Sequence, residues 1–278
     1  MTQLVVDSTA DLPLETMERL GIIMVPLKVH FGQEEFRDRV ELDGDAFFKR
    51  LEAATELPTT SQPSPGEFLE VYRAVPEGEA IISLHIAEQL SGTVQSARLA
   101  AKELPGRDIR VIDSGNVTAA LAVMALEAAE MIAAGRSPEE IEKTMLELRP
   151  RARLVAILDT LKYAVMGGRV SRLQGAIGGM LRVKPLMLVH EGVIHRMTPA
   201  RTWSQAFQRV VEDITEHGGA ERIGILDAQA PESRTALRVE LEKSFPGVPI
   251  SEGALGAVIG THGGPGAIGC GYIAKRAG

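Results

Sequence analysis

Several short segments of this 278-residue chain set hydroxyl side chains beside glycine or proline, which suits loops that hold a polar ligand. The sharpest is Leu90-Ser91-Gly92-Thr93. It follows an apolar strand over 80–86 and precedes a helix running to 103, so it opens a helix N-terminus. Unpaired backbone N–H groups and a partial positive charge there attract a carboxylate or a phosphate. Gly92 lets a ligand oxygen approach the backbone, while Ser91 and Thr93 supply two hydroxyls where capping needs one. In Thr59-Thr60-Ser61-Gln62-Pro63-Ser64-Pro65 the prolines stiffen the backbone, so Thr60 and Ser61 are held in place before a ligand arrives. A plain surface loop with Ser64 as N-cap is the other reading.

Gly260-Thr261-His262-Gly263-Gly264-Pro265-Gly266 places a histidine among glycines after an apolar strand. His262 could donate to an anion, act as a base, or bond a backbone carbonyl. Asp7-Ser8-Thr9-Ala10-Asp11-Leu12-Pro13 reads first as a cap for a helix starting at Pro13 and second as a ligand contact. Met166-Gly167-Gly168-Arg169-Val170-Ser171-Arg172 lacks the Gly-Lys-Ser/Thr of a Walker phosphate loop. Its glycine pair makes a turn presenting Arg169, either to solvent or to a partner or phosphate.

The elements that must position these loops follow from periodicity. Strands over 4–7, 22–29, 80–86 and 109–113 alternate with helices over 13–20, 43–54, 66–74, 91–103 and 115–134, the pattern of a parallel α/β sheet. Ligands of such sheets bind beyond the carboxyl ends of the strands, where the hydroxyl loops fall. Ser137, Pro138 and Glu140 open the next helix as a capping box, and Pro150 ends it. Beyond it come a strand over 154–159, a short helix over 173–181, a hairpin turning at Glu191-Gly192, helices over 203–217 and 232–245, a strand over 222–227, and short strands broken by glycines over 250–273. A two-domain α/β protein is expected: a parallel-sheet three-layer domain over 1–150 and a mixed-sheet domain over 151–278, with the ligand between them.

Composition narrows the classes. Hydrophobic residues at 45% can build two cores, and aromatics at only 4% make those cores aliphatic. The formal charge of −7 argues against nucleic acid, although Arg169, Arg172, Arg182 and Lys184 form a local basic cluster. One cysteine, Cys270, excludes an internal disulfide and a cysteine zinc cage, and its place between two glycines suits tight packing. The start lacks a basic signal-peptide region, and no apolar stretch reaches the roughly 18–20 residues of a membrane helix, so a cytoplasmic protein without membrane insertion is expected.

Taken together and in order, Asp7 to Pro13, Thr60 to Pro65, Leu90 to Thr93 with Gln95-Ser96-Ala97, Gly167-Gly168-Arg169-Val170, and Gly260-Thr261-His262 with Gly264-Pro265-Gly266 resemble the DegV family across essentially the whole chain. The resemblance implies a two-domain protein that binds one long-chain fatty acid, such as palmitate, between its domains. It also implies kinship with the binding subunits of bacterial fatty acid kinase, which present the carboxylate to a separate ATP-using kinase subunit for acyl-phosphate formation and phospholipid metabolism. Carried over by motif, Thr60, Ser61, Ser91, Gly92, Thr93 and His262 surround the carboxylate, and Arg169 and Arg201 face the kinase or the phosphoryl group. No metal, no cofactor and no catalytic residue of the chain's own is implied. Two departures stand out: Ala87-Glu88-Gln89 replaces a serine-rich stretch before Leu90, and Gly115-Asn116-Val117 replaces a Ser- and Met-containing run.

A fatty acid needs an apolar tunnel and a polar grip. At about 0.8 kcal/mol per buried methylene, ~15 methylenes gain roughly 12 kcal/mol before ordering costs. Leu161, Ala164, Val165, Ile177, Met180 and Leu181 are the candidates to line the tunnel. Neutral hydroxyls and N–H groups can hold the carboxylate while leaving an oxygen free to react. The rival reading is a lipid-acting serine hydrolase with Ser91 as nucleophile, His262 as base, and Asp7 or Asp113 as orienting acid. Against it, no Gly-x-Ser-x-Gly surrounds Ser91.

Overall fold

The computed structural model of the protein describes residues 2–169 and 183–276. In the first half, β1 (Thr2–Asp7), α1 (Leu14–Leu20), β2 (Ile23–Val25), β3 (Lys28–Phe31), β4 (Glu34–Arg37), α2 (Gly44–Ala53), β5 (Thr59–Ser61), α3 (Pro65–Ala74), β6 (Ala80–His85), α4 (Thr93–Lys102) and β7 (Ile109–Asp113) follow in order. Then come α5 (Thr118–Ala133) and α6 (Pro138–Leu148). The sheet β2-β1-β6-β7 is wholly parallel, and every residue of its central strand β6 is buried. A strand covered on both faces reads as an unbroken apolar run, as Ala80 to Leu84 does apart from Ser83.

The second half contains β8 (Ala152–Ile157), α7 (Lys162–Met166), β9 (Leu186–His190), β10 (Val193–Arg196), α8 (Trp203–Glu216), β11 (Ala220–Asp227), α9 (Pro231–Ser244), β12 (Ile250–Ala254), α10 (Ala257–Gly263) and β13 (Ile268–Ala274). Its sheet runs β10-β9-β8-β13-β11-β12, antiparallel except for the β11–β12 pair. The protein is thus a two-domain α/β structure with a parallel first sheet and a mixed second sheet. The hairpin turn has positive φ at both Glu191 (47°) and Gly192 (77°), the primed geometry whose twist matches the flanking strands.

Helix α5 is buried along most of its length and packs against β1 of the first sheet and against β8, β11 and β13 of the second. Its contact with β13 depends on Gly271, where a Cβ would lie 2.1 Å from the Ala120 nitrogen. Cys270 points to the other face, fully buried, and burial pushes its thiol far above the ordinary range. Packing, not redox chemistry, accounts for it.

Several elements depart from the sequence reading. The strand expected over 22–29 is two strands in different sheets, because Pro26 lies between them and cannot donate to a ladder. The proline-rich loop contains β5, which joins β3 and β4 in a small antiparallel sheet, β4-β3-β5. The glycine-rich tail hides α10, where Gly260 lets the helix sit on Phe47 and Phe48 of α2; a Cβ there would lie 2.8 Å from the Phe47 ring. The loop after β1 does not cap α1: Pro13 holds that N-cap position without a side-chain bond, and Asp7 instead caps a 3₁₀ turn over Ser8–Ala10. The capping boxes at Ser64/Glu67 and Ser137/Glu140 are both formed. The helix expected over 173–181 lies outside the described residues.

Candidate functional site

A cavity of about 570 Å³ opens where the loops after β6 and β5 meet β8, α7 and α10. Its volume falls in the range of small-molecule sites, roughly 300–1,000 Å³. The floor is apolar: Val117 at the start of α5, Leu154 and Ala156 of β8, Met187 and Val189 of β9, and Val258 and Ile259 of α10. Gly269 of β13 also faces it, where a Cβ would make only ordinary contact with Leu154 and Thr118. The polar rim carries Thr60, Gln62, Ser91, Gly92, His262 and Arg169, together with Glu88 and Gln89 of the departing segment.

Ser91 and Gly92 sit at the N-terminus of α4, with Gly92 as an N-cap that contributes no side-chain bond. The Ser91 hydroxyl lies 2.8 Å from the Thr93 hydroxyl and 3.4 Å from the Thr93 nitrogen. Thr93 itself is fully buried and does not line the cavity, so it supports Ser91 from behind. Gly92 is packed under the Gln62 amide, 2.4 Å from where a Cβ would stand, which ties the β5 loop to α4.

Strand alternation splits the pair at 60 and 61 between two faces. Thr60 lies opposite the fully buried Val29, and its hydroxyl is 3.2 Å from His262 Nε2. The Ser61 hydroxyl is 2.9 Å from His30 Nε2, on the face carrying Lys28 and Glu35. Ser61 borders the cavity, but its hydroxyl is engaged elsewhere.

His262 sits in the last turn of α10, 202 residues from its hydrogen-bond partner Thr60. Burial, and secondarily the nearby Arg169 guanidinium, drive its pKa down to about 4, so the imidazole is neutral. Its Nδ1 is buried without a hydrogen-bond partner among the described residues. An unpaired acceptor nitrogen is less costly there than an unpaired N–H, so the hydrogen-bond pattern assigns the proton to Nε2. Nε2–H then donates to Thr60, and the Thr60 hydroxyl keeps its own proton for an acceptor in the cavity. Gly167 makes this packing possible, since a Cβ there would lie 2.2 Å from His262 Nδ1. Reciprocally, Gly264 faces the Tyr163 ring of α7, where a Cβ would lie 2.1 Å away.

Arg169 borders the cavity, is exposed, and donates to the Gly167 carbonyl at 2.9 Å. Arg201 does not line it; that residue is exposed before α8, with its backbone N–H on Gln205. Of the expected tunnel residues, Ala164 lines the cavity and Leu161 and Val165 pack beside its apolar cluster. Ile177, Met180, Leu181, Arg172 and Arg182 lie outside the described residues.

The hydrolase arrangement does not form. Ser91 is bonded to Thr93, and His262 to Thr60. Asp7 orients a different histidine, His85, at 3.2 Å, within a buried chain running through Ser83 to Tyr72. That Ser83-His85-Asp7 set has the order of a triad, but all three residues have zero exposure and no route for a substrate. Sequence reasoning missed it because its members lie on two strands 78 residues apart.

An apolar cavity rimmed by hydroxyls and a neutral histidine, between two α/β domains, defines a binding protein for an amphiphile with an acidic or polar head. A family model described as "Uncharacterised protein, DegV family" matches residues 1–275, and the chain belongs to the DegV family. "Protein DegV" of Bacillus subtilis is 37% identical over 270 residues, spanning 95% of this chain and 96% of that one. A solved structure described as fatty acid binding of a DegV family protein from Thermus thermophilus is 35% identical, covers 99% of both chains and superposes with a TM-score of 0.89. A stearic-acid-binding protein from Eubacterium ventriosum, 28% identical, covers 99% of both chains with a TM-score of 0.91. No helix among the described residues is long and apolar enough to cross a membrane.

Proposed function

We propose that this protein binds one long-chain fatty acid, with the hydrocarbon tail in the apolar cavity and the carboxylate at Thr60, Ser91 and the backbone N–H groups opening α4. The observation that carries this reading is the cavity of about 570 Å³ whose aliphatic floor ends at two hydroxyls and a neutral imidazole. A carboxylate held by neutral donors avoids the cost of burying an ion pair. His262 acts through Thr60, fixing the direction of its proton, and Thr93 supports Ser91. The fatty-acid-binding relatives from Thermus thermophilus and Eubacterium ventriosum support the ligand class.

The finer reading is that the carboxylate is offered to a separate ATP-dependent kinase subunit. It rests on the family resemblance and on the exposed Arg169 beside the rim, with Arg201 on the same partner surface. We place the division of the two domains at residue 150, before β8 opens the second sheet. The test compares fatty acid occupancy of the wild type with that of Ser91→Ala and Thr60→Ala by quantitative lipid extraction. Reduced retention in both variants is expected; unchanged occupancy in both rejects the proposed grip.

A further inference from the structure

The helix that carries His262 is held by side chains from the far end of the chain. The N-cap residue of α10, Gly256, offers no side chain, and two buried carboxylates take its place. Asp11 Oδ1 accepts from Gly256 N–H at 2.9 Å, and Asp38 Oδ1 accepts from Ala257 N–H at 2.8 Å. Both oxygens crowd one point: a Cβ on Gly256 would lie 2.9 Å from Asp11 and 3.0 Å from Asp38. Asp11 also accepts from the Thr118 hydroxyl at 2.7 Å, and Thr118 borders the cavity.

Backbone strain gathers at the same place. Asp11, Arg39 and Thr118 have φ of 52°, 63° and 46°, three of the five described non-glycine residues with left-handed backbone. For a β-branched residue such as Thr118 this is a marked outlier, tolerated only where surrounding contacts over-determine it.

The charge balance is uneven. Two carboxylates face one guanidinium, Arg39, which reaches Asp11 at 3.5 Å and donates to the Leu12 and Ala254 carbonyls. The loop after β1 adds the Ser8 hydroxyl, α5 adds Thr118, and α10 adds only backbone N–H groups. Asp38 Oδ2 is buried with no hydrogen-bond partner among the described residues. The cluster is electrically neutral when one of its two carboxyls holds a proton and carries an excess negative charge when neither does.

We propose that Asp11 and Asp38 are positioning residues that clamp the N-terminus of α10 in a proton-dependent way, so that fatty acid retention loosens as the cluster loses its proton. This rests on the carrier reading, because α10 contributes Val258, Ile259 and His262 to the cavity. Burial is the largest influence on both groups, raising Asp11 to about 7 and Asp38 to about 6, above the usual carboxylate value. A raised carboxyl pKa gives a folded state that binds more protons, so the clamp is firm in mild acid and weakens as pH rises through this window. Each pKa unit corresponds to about a tenfold change in the underlying equilibrium.

The experiment uses fatty-acid-loaded protein and measures release into phosphatidylcholine vesicles between pH 5.5 and 8, for wild type and Asp38→Asn. Asn keeps an acceptor for Ala257 N–H but cannot ionise. Asp11→Asn is the second variant should Asp38→Asn fail to fold. Wild-type release is expected to accelerate roughly tenfold across the range, and the variant to stay slow and nearly flat. The same pH dependence in wild type and variant overturns the clamp and leaves the carrier reading intact. NMR of the α10 amides in ligand-free protein provides a readout independent of any lipid. Movement near neutral pH that Asp38→Asn abolishes supports the clamp even in a protein that takes up no fatty acid, whereas static resonances overturn it.

Discussion

Gly269→Val tests whether the apolar cavity, and not another surface, receives the hydrocarbon chain. Gly269 lies on β13 with ordinary backbone geometry, and its side-chain direction faces the cavity floor. A Cβ there meets Leu154 at 3.4 Å and Thr118 at 3.7 Å, so the new side chain fits without displacing protein atoms at its base. Valine is also well suited to a strand. Its three added carbons occupy space that about three ligand methylenes would otherwise fill. At about 0.8 kcal/mol per methylene, a sixteen-carbon fatty acid loses roughly 2.4 kcal/mol, about a 60-fold weakening. A twelve-carbon acid that ends short of the plug keeps its affinity. Competition against a fluorescent fatty acid, run with both chain lengths, measures this directly, and a thermal melt confirms an intact fold. Equal losses for the two acids, or no loss for either, would refute the reasoning.

Three further outcomes follow from the same geometry. Thr60→Val removes the hydroxyl between His262 and the ligand while keeping its shape, and should weaken fatty acid binding by about 1.5–3 kcal/mol, read by titration; wild-type affinity would show that Thr60 is no contact. His262 should remain neutral well below the usual histidine range, titrating at about pH 4 in an NMR titration, because burial opposes its charge. Folded His262 binds fewer protons than the unfolded residue between pH 6.5 and 4, so its own contribution to stability is lost as pH falls through that window; titration near 6.5 contradicts the burial argument. Gly271→Ala drives a methyl group into the α5 backbone and should lower stability by about 1–3 kcal/mol or more in denaturant unfolding. An unchanged midpoint would mean that α5 and β13 are not in the close contact described.

Much of the architecture was legible in the chain because local signals agreed with the fold. The apolar runs of β1, β6 and β7, the capping boxes at Ser64 and Ser137 and the Glu191-Gly192 turn are each set by neighbours a few residues apart. Ser91 was legible for the same reason, since a hydroxyl, a glycine and a helix start are adjacent in sequence. The illegible parts depend on distant partners. Helix α10 reads as a loop because Gly260 and Gly263 are poor helix formers, and only the ring faces of Phe47 and Phe48 explain the first. The three residues of β5 carry no strand signal of their own and are defined by pairing with β3. That pairing is also what turns Ser61 away from Thr60, a distinction invisible in a run of hydroxyl residues. The Asp11–Asp38 cap is likewise built from residues 245 and 219 positions away from the N–H groups they bind.

Native mass spectrometry of the purified protein tests the central claim most directly. The account predicts a complex heavier than the bare chain by one long-chain fatty acid, retained on mild desolvation and displaced stoichiometrically by an added isotopically labelled fatty acid. Bare protein after incubation with excess fatty acid, or a retained mass that labelled fatty acid does not replace, would contradict it.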